Sequence, residues 1–394
     1  MSFPFWVSLA IFLLTVSVAI EFTLGMRKVG VLRDTAPLSD GTLPRVSIIA
    51  AALNEAETIE PALRSLLALD YPNLEIIAIN DRSTDATPQI LERLAGEFSN
   101  LRVLHVHELP PGWLGKVNAM HQGAQLASGD YLLFTDADVI FEPSTIRRAI
   151  AYCERHAVDH LTLIFESITR SDLLRMMTLA MKISCFALVK PWKVATSPRH
   201  FIGVGAFNLV RATTYREIGG HAKLPLAVID DVMLGQVIKQ SGFNQHVLDG
   251  AGLVAVEWYR TPRDMYWGLM KSSFASLGYR VGALLFVTLL IFTLRAWPWL
   301  GFLTGDLPTR LLCAGILVAE TAIYLDVIRP TGWSRRCLFY FPVTTTLQLI
   351  LMWHSALRAL WRGGVEWRGT FYSLEELRSG LPRNRAARSA DAGG

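Results

Sequence analysis

Apolar and polar positions alternate in blocks along most of this chain. RVSIIAAAL (45–53) is a β-branched apolar run, and EAETIEPALRSLLAL after it carries apolar residues at helical spacing. LEIIAIN (74–80) reads as a second strand, DATPQILERLAGEF as a helix, LRVLHV (101–106) as a third strand, GKVNAMHQGAQLA as a helix and YLLFTDADV (131–139) as a fourth strand. Strands that are apolar throughout, rather than at every second residue, lie in a parallel sheet covered on both faces, so the pattern predicts an α/β domain over 45–260. In such sheets ligands bind at the carboxyl ends of the strands, where the strand order reverses.

Longer apolar blocks flank that region. Residues 3–20 (FPFWVSLAIFLLTVSVAI) carry no charge and come close to the roughly 20 residues that cross a hydrocarbon core. A signal peptide would place positive charge before the run and a small-residue cleavage site after it; here Arg27 and Lys28 follow, so 1–26 is expected to be an uncleaved anchor. Residues 27–44 read as a polar linker, 261–280 as an interfacial helix, 281–360 as further membrane helices and 361–394 as a basic tail. Three late apolar segments fall at 281–303, 308–328 and 338–358, interrupted by Arg295, by Glu320 and Asp326, and by His354. Basic residues collect on the cytoplasmic side, so Arg27, Lys28 and Arg33 assign 45–260 to the cytoplasm of a multi-pass inner-membrane protein. Three late crossings would then leave Arg362, Arg368, Arg378, Arg383 and Arg385 outside. Either one late segment is re-entrant or a further pass is hidden.

Composition agrees with a membrane protein: 394 residues, 51% hydrophobic, with a mean hydropathy of +0.32. The net charge of +4 is concentrated in the tail, whereas a nucleic-acid partner would want basic residues interleaved with aromatics across a folded domain, so none is expected. Cys153, Cys185, Cys313 and Cys337 form no close pair and no metal-type spacing, which suits a reducing compartment. Neither G-x-G-x-x-G after the first strand nor G-x-x-x-x-G-K-[ST] occurs, which argues against dinucleotide oxidoreductases and P-loop ATPases.

The candidate chemistry lies at the strand ends. The first ends in Asn54 and Glu55, the second in Asn80 and Asp81, the fourth in Asp136 and Asp138, and all three pairs should open on one edge of the sheet. Asn54, Asp81 or Ser83 alone could be a cap or turn former. Three acidic ends together repel unless a cation or an array of sugar hydroxyls lies between them. Further on, Asp230 and Asp231 open an apolar-periodic helix in VIDDVMLGQVIKQSGF (228–243); as a pair they also suit a helix cap and dipole.

Taken in order, VSIIAAALNE, INDRSTDAT, GWLGKVNAM and FTDADV resemble family 2 glycosyltransferases of the GT-A fold, over about residues 45–260. The resemblance implies that Glu55 and Asp81 contact the nucleoside of a nucleotide-diphosphate sugar, with Asn54 beside them. It places Lys116 near the nucleotide, with Trp113 shaping the loop. It makes Asp138 the ligand of a Mg²⁺ or Mn²⁺ ion that bridges the diphosphate, and leans Asp136 toward ribose and metal. Asp231 becomes the base that activates the acceptor, next to Asp230. FIGVGAFNLVRATTYREIGGH (201–221) resembles the acceptor side of the family, with Gly203, Gly205 and His221, and Trp258 and Arg260 follow it. Nothing in 257–279 supplies the Q-x-x-R-W of processive synthases, which favours transfer of a single sugar. Segments 171–192 and 257–279 mix aromatic and basic residues as interfacial helices do. GVEWRGTFYS (364–373) is similar to the V-x-W-x-G-x-x-Y of hopanoid-, carotenoid- and ceramide-glycosylating membrane enzymes. The resemblance thus implies an inverting, metal-dependent transfer to a lipid acceptor at the bilayer. A processive polysaccharide synthase, a polyprenyl-phosphate sugar transferase and a catalytically silent nucleotide-sugar-binding scaffold stay open.

Overall fold

Val46–Ala52 forms strand β1, and all seven of its residues are buried. The computed structural model describes residues 2–39, 41–367 and 369–380; Arg368, Arg383 and Arg385 of the basic tail lie outside the described residues. Strands β2 (Leu74–Asp81), β3 (Leu101–Val106), β4 (Tyr131–Asp136), β5 (Val139–Phe141), β6 (His160–Ile164), β7 (Glu166–Ser167), β8 (Asn208–Arg211), β9 (Gln245–Asp249) and β10 (Val254–Val256) follow. Seven of them make one sheet in the order β3-β2-β1-β4-β8-β6-β9, and β5-β10-β7 make a small second sheet. The expected parallel pairing holds for β3-β2-β1-β4 and recurs in β6–β9, whereas β8 runs against both neighbours. A short strand buried on both faces has the same apolar pattern in either direction, so β8 was not distinguishable by sequence.

The sheet turns its order at β1. There Ala52 pairs with Asn80 and Ala51 with Asp136, so the polar ends of β1, β2 and β4 emerge at one level. Helix Ile59–Leu67 covers the sheet through Ile59, Ala62, Leu63 and Leu66, the i, i+3, i+4, i+7 stripe of an amphipathic helix. It begins four residues later than the pattern suggests, because Asn54–Thr58 is drawn into the loop described below. Ile77, Ile79, Leu132, Phe134, Leu234 and Ile238 share one core cluster. Ile77 is fully buried, so Ile77→Ala should lower unfolding free energy by about 2–5 kcal/mol, read from denaturant titration.

The chain divides into two compact units: Val29–Ile168 with Lys193–Glu257 and Glu375–Gly394, and Met1–Lys28 with Thr169–Trp192 and Trp258–Leu374. The division differs from the sequence pattern in two places. Much of the expected linker is folded into the first unit: Leu32 is fully buried, Val31 bridges to Asp249 and Arg33 donates to the Gly252 carbonyl at 2.8 Å. Residues 169–192 group with the apolar helices rather than with the sheet.

In the second unit three helices are long and apolar enough to cross a membrane: Phe3–Met26, Val281–Thr304 and Leu307–Ile328. The fourth apolar segment forms helix Phe341–Arg362, which is not among them. Two of the charges that interrupt the late segments answer each other, with Arg295 Nη1 2.7 Å from Glu320 Oε1. The tail motif is a hairpin, β11 (Gly364–Trp367) against β12 (Thr370–Ser373).

Candidate active site

The ends of β1 and β2 are stapled to one another. Asn54 adopts a left-handed φ of 56°; its N–H donates to Ser83 Oγ at 3.0 Å and its Oδ1 accepts the Thr84 N–H at 2.8 Å. The Glu55 N–H donates to Thr87 Oγ1 at 2.9 Å, and the Ala56 N–H to Asp85 Oδ2 at 3.0 Å. Local side-chain acceptors of this kind hold a loop in one shape without regular secondary structure. Asp81, at the tip of β2, is fully buried, and Arg82 Nε donates to its Oδ1 at 2.8 Å. A Cβ on Gly115 would stand 2.3 Å from Asp81 Oδ2, so helix Gly115–Leu126 can start against this carboxylate only with glycine.

The end of β4 meets the acidic helix start through one residue, Gly205. The Gly205 carbonyl accepts the Asp136 N–H at 3.0 Å, and the Gly205 N–H donates to Asp231 Oδ2 at 2.8 Å. Lys116 Nζ lies 2.7 Å from Asp136 Oδ1 and 3.6 Å from Asp230 Oδ1. The segment threading between these groups has no room for side chains: a Cβ at Gly203 would lie 1.8 Å from the Asp231 carbonyl oxygen, and one at Gly205 2.6 Å from Asp136 Oδ2.

A buried polar network holds that segment from behind. Asn208 Oδ1 accepts the Val204 N–H at 3.3 Å, and Gln245 Oε1 accepts the Ile202 N–H at 3.2 Å. His160 joins the two, its Nδ1 2.6 Å from Gln245 Nε2 and its Nε2 3.0 Å from Asn208 Oδ1. Burial pushes the His160 pKa down to about 4, so the ring is neutral at pH 7, accepting from the amide at Nδ1 and donating from Nε2. On the other side the Leu114 N–H donates to the Pro225 carbonyl at 2.7 Å, tying the GWLGK loop to the loop before Asp230.

Charge is unbalanced here. Burial works against the Lys116 ammonium, but Asp136, Asp230 and Asp231 outweigh it and raise its pKa. Burial and then the neighbouring Asp230 charge push Asp231 up from 3.8 to about 6, with Lys116 opposing. Burial, then the Asp136 and Glu55 charges, push Asp138 up from 3.8 to about 7. Asp230 is also raised, first by burial. Four aspartates thus surround one lysine, while Asp138 and Asp231 stay partly exposed. The positions of Asp136 and Asp138 fit a hard divalent cation: the donors are carboxylate oxygens in excess over local positive charge. Among the described residues no set of three His, Cys, Asp or Glu is arranged to hold a metal by itself. Proteins commonly hold Mg²⁺ through one or two carboxylates, with substrate phosphate and water completing the shell.

Residues 47–209 match the family model described as Glycosyl transferase family 2. This region is a family 2 glycosyltransferase domain. An uncharacterized glycosyltransferase of Haemophilus influenzae is 35% identical over 119 residues, which are 30% of this chain and 35% of that one. The beta-monoglucosyldiacylglycerol synthase of Nostoc sp. is 37% identical over 120 residues, 30% of this chain and 25% of that one. The poly-beta-1,6-N-acetyl-D-glucosamine synthase of Staphylococcus epidermidis is 37% identical over 97 residues, 25% of this chain and 22% of that one. The chain thus aligns with about a third or less of these curated relatives. The mannosyltransferase PcManGT from Pyrobaculum calidifontis, solved with GDP-Man and Mn²⁺, superposes with a TM-score of 0.58 at 20% identity, covering 91% of this chain and 99% of that one. The shared architecture is the GT-A fold expected from the motifs.

Within the glycosyltransferase domain, Lys116, Asp136, Asp230, Asp231 and Gly205 form one connected cluster, with Asp138 and Glu55 coupled to it by charge. Glu55 Oε2 also accepts the Thr58 hydroxyl at 2.9 Å. Trp113 stacks on His121, ring centroids 5.0 Å apart. Asn54 acts as the staple of its loop. His221, expected on the acceptor side, is instead a core residue: it is 1% exposed, pairs with the Tyr215 hydroxyl at 2.8 Å and abuts the Phe134 ring at 4.7 Å. A ring this deeply enclosed has no face for an acceptor. Trp258 and Arg260 belong to the other unit, where Trp258 stacks on Tyr259. Sequence reasoning missed Arg82, whose only signal was its place after Asp81, and the His160–Asn208–Gln245 network, which left no signal.

Gly205→Ala should keep the fold yet lower kcat about 100-fold, because a displacement near 1 Å at the reacting groups costs that much. Steady-state kinetics beside a thermal melt checks it.

Proposed function

We propose that the chain is a membrane glycosyltransferase that moves one sugar, with inversion, from a nucleotide-diphosphate sugar to a lipid hydroxyl. The observation that carries the reading is residue Gly205, whose carbonyl accepts the Asp136 backbone N–H and whose own N–H donates to the Asp231 carboxylate. It ties the backbone that carries a donor-side carboxylate to an acceptor-side carboxylate, the kind of positioning a single displacement requires. The acceptor oxygen attacks the anomeric carbon from the face opposite the leaving diphosphate, and Asp231 takes the hydroxyl proton. Each Asp231 oxygen receives one backbone N–H, from Gly205 or Val232, and keeps a lone pair for that proton. Lys116 holds a fixed positive charge beside Asp136. Glu55 and Asp81 are assigned to the nucleoside side, where Arg82 orients the Asp81 carboxylate. A Mg²⁺ or Mn²⁺ ion held by Asp138 and Asp136 would supply Lewis-acid neutralisation of the charge that grows on the diphosphate.

The lipid acceptor is supported by the diacylglycerol substrate in the name of the Nostoc relative, by the GVEWRGTFYS hairpin and by three apolar helices on the same chain. Arg27, Lys28 and Arg33 support a cytoplasmic catalytic domain. The Staphylococcus relative favours a second reading, processive synthesis, which the lack of Q-x-x-R-W argues against. Mass and proton NMR spectra of the product decide: one added sugar of inverted anomeric configuration is expected, while a ladder of masses supports polymer synthesis and a retained configuration rules out direct displacement.

A further inference from the structure

Helix Phe341–Arg362 has 22 residues, about 33 Å at 1.5 Å per residue, so length alone would let it span a bilayer. Its two faces differ sharply. Thr344, Leu351, Met352, Ser355, Ala356 and Ala359 are buried. On that side Ser355 Oγ donates to the Met270 carbonyl at 2.5 Å, while half-buried His354, in line with the opposite face, pairs through Nδ1 with Tyr266 Oη at 2.7 Å, and Trp353 Nε1 at its edge donates to Thr288 Oγ1 at 3.0 Å. The helix is thereby fastened to helix Pro262–Ser273 and to the first half of the Val281–Thr304 span. The other side carries an uncovered apolar stripe: Val343 is 47% exposed, Ile350 50%, Leu357 57% and Trp361 86%. Steps of seven, seven and four residues keep these on one face. A stripe of this length left in water marks an interaction surface.

Chain topology selects its partner. If Val281–Thr304 leaves the cytoplasm and Leu307–Ile328 returns, Arg329, Arg335 and Arg336 emerge on the cytoplasmic side, where the positive-inside rule wants them. A further crossing by Phe341–Arg362 would carry Gln348, His354 and Arg358 into hydrocarbon and deliver Arg362 and Arg378 to the far side. A helix with one apolar face, Trp at its end and arginine beside it has the composition of one lying in the plane of the interface.

We infer that helix Phe341–Arg362 docks its Val343–Ile350–Leu357–Trp361 stripe into the headgroup–acyl boundary of the cytoplasmic leaflet and does not cross the bilayer. Arg358 and Arg362 reach the lipid phosphates from that position. The two late spans then return the chain to the cytoplasm, and the conflict between the number of apolar segments and the placement of the basic tail disappears. This inference rests on the membrane reading of the three apolar helices.

The test uses the full chain in lipid nanodiscs of phosphatidylcholine and phosphatidylglycerol. Cys153, Cys313 and Cys337 are buried and Cys185 is exposed, so Cys185→Ser gives the background for single spin labels at Val343→Cys, Ile350→Cys and Leu357→Cys. A control label sits at Leu289→Cys, a position 65% exposed in the Val281–Thr304 span. The ratio of oxygen to nickel-chelate accessibility reports depth. The inference expects the three stripe labels at one shallow depth, about 5–10 Å below the headgroups, with the control deep. A depth that peaks at 350 and becomes shallow at 343 and 357 means a crossing and overturns it. Free access of the nickel chelate at all three stripe positions, with the control still deep, overturns it by leaving the stripe in water. A control label that finds no hydrocarbon instead removes the membrane reading on which the inference stands.

Discussion

Asp231→Asn should lower kcat by about 10²–10⁴-fold, the usual contribution of a positioned general base, without weakening the fold. An amide oxygen can still accept the Gly205 N–H that Asp231 Oδ2 now accepts, although its NH2 then faces the Val232 N–H that Oδ1 accepts, so the loop keeps one of its two holds while the proton acceptor is lost. Stability should change little, because that lost contact opposes the gain from removing a buried charge. Asp231 titrates near 6 in the folded chain against an ordinary 3.8, so the folded state binds the proton more tightly than the unfolded one. The stability linked to this group is fully present below about pH 4 and is lost as pH rises through 6, and Asn removes that loss at pH 7. The wild-type profile follows the same group with the opposite sense for activity: the carboxylate is the working form, so kcat/KM should fall as pH drops through about 6. Kinetics from pH 5 to 8, beside melts of both proteins, check all three statements. A variant that keeps near-normal turnover would remove Asp231 from the role of base.

The second large effect is expected at Asp138. Asp138→Asn should weaken Mn²⁺ binding in the presence of a nucleoside diphosphate by at least about 100-fold, since even groups that merely support a ligand are worth 10–100-fold. Turnover should fall with it. Burial disfavours both charged forms, but the Asp136, Asp230 and Asp231 charges keep Lys116 an ammonium, whereas the Asp136 and Glu55 charges add to burial and let Asp138 hold a proton up to about pH 7. Proton and metal therefore compete for Asp138, and apparent Mn²⁺ affinity of the wild type should rise from pH 6 to pH 8. Calorimetric titration of wild type and variant at both pH values measures this directly. Equal affinity in the two proteins would take Asp138 out of the metal site.

The parts of this site that could be read from sequence are those built from short-range pattern. β1, β2 and β4 are nearly continuous apolar runs because both faces of the sheet are covered there, and their polar tips fall at one level because the strands pair in register. That places Glu55, Asp81, Asp136 and Asp138 before any coordinates are known. The parts that could not be read depend on long-range threading. Nothing in FIGVGAFN says that Gly205 will lie between Asp136 and Asp231, or that Gln245, 43 residues later in the chain, will hold Ile202. His221 shows the converse limit. A polar side chain looks the same in sequence whether it faces a ligand or, like His221 on Tyr215, satisfies a partner in the core.

Transfer of a labelled sugar tests the central claim most directly. Purified wild-type protein is incubated with UDP-, GDP- and dTDP-sugars carrying ¹³C in the sugar, a lipid extract and Mn²⁺, and label is followed into the lipid phase by mass spectrometry. The account predicts that one donor places a single labelled sugar on a lipid, that chelation abolishes transfer and that Asp231→Asn reduces it at least about 100-fold. Donor consumed with no label in lipid, or transfer undiminished in Asp231→Asn, would contradict it.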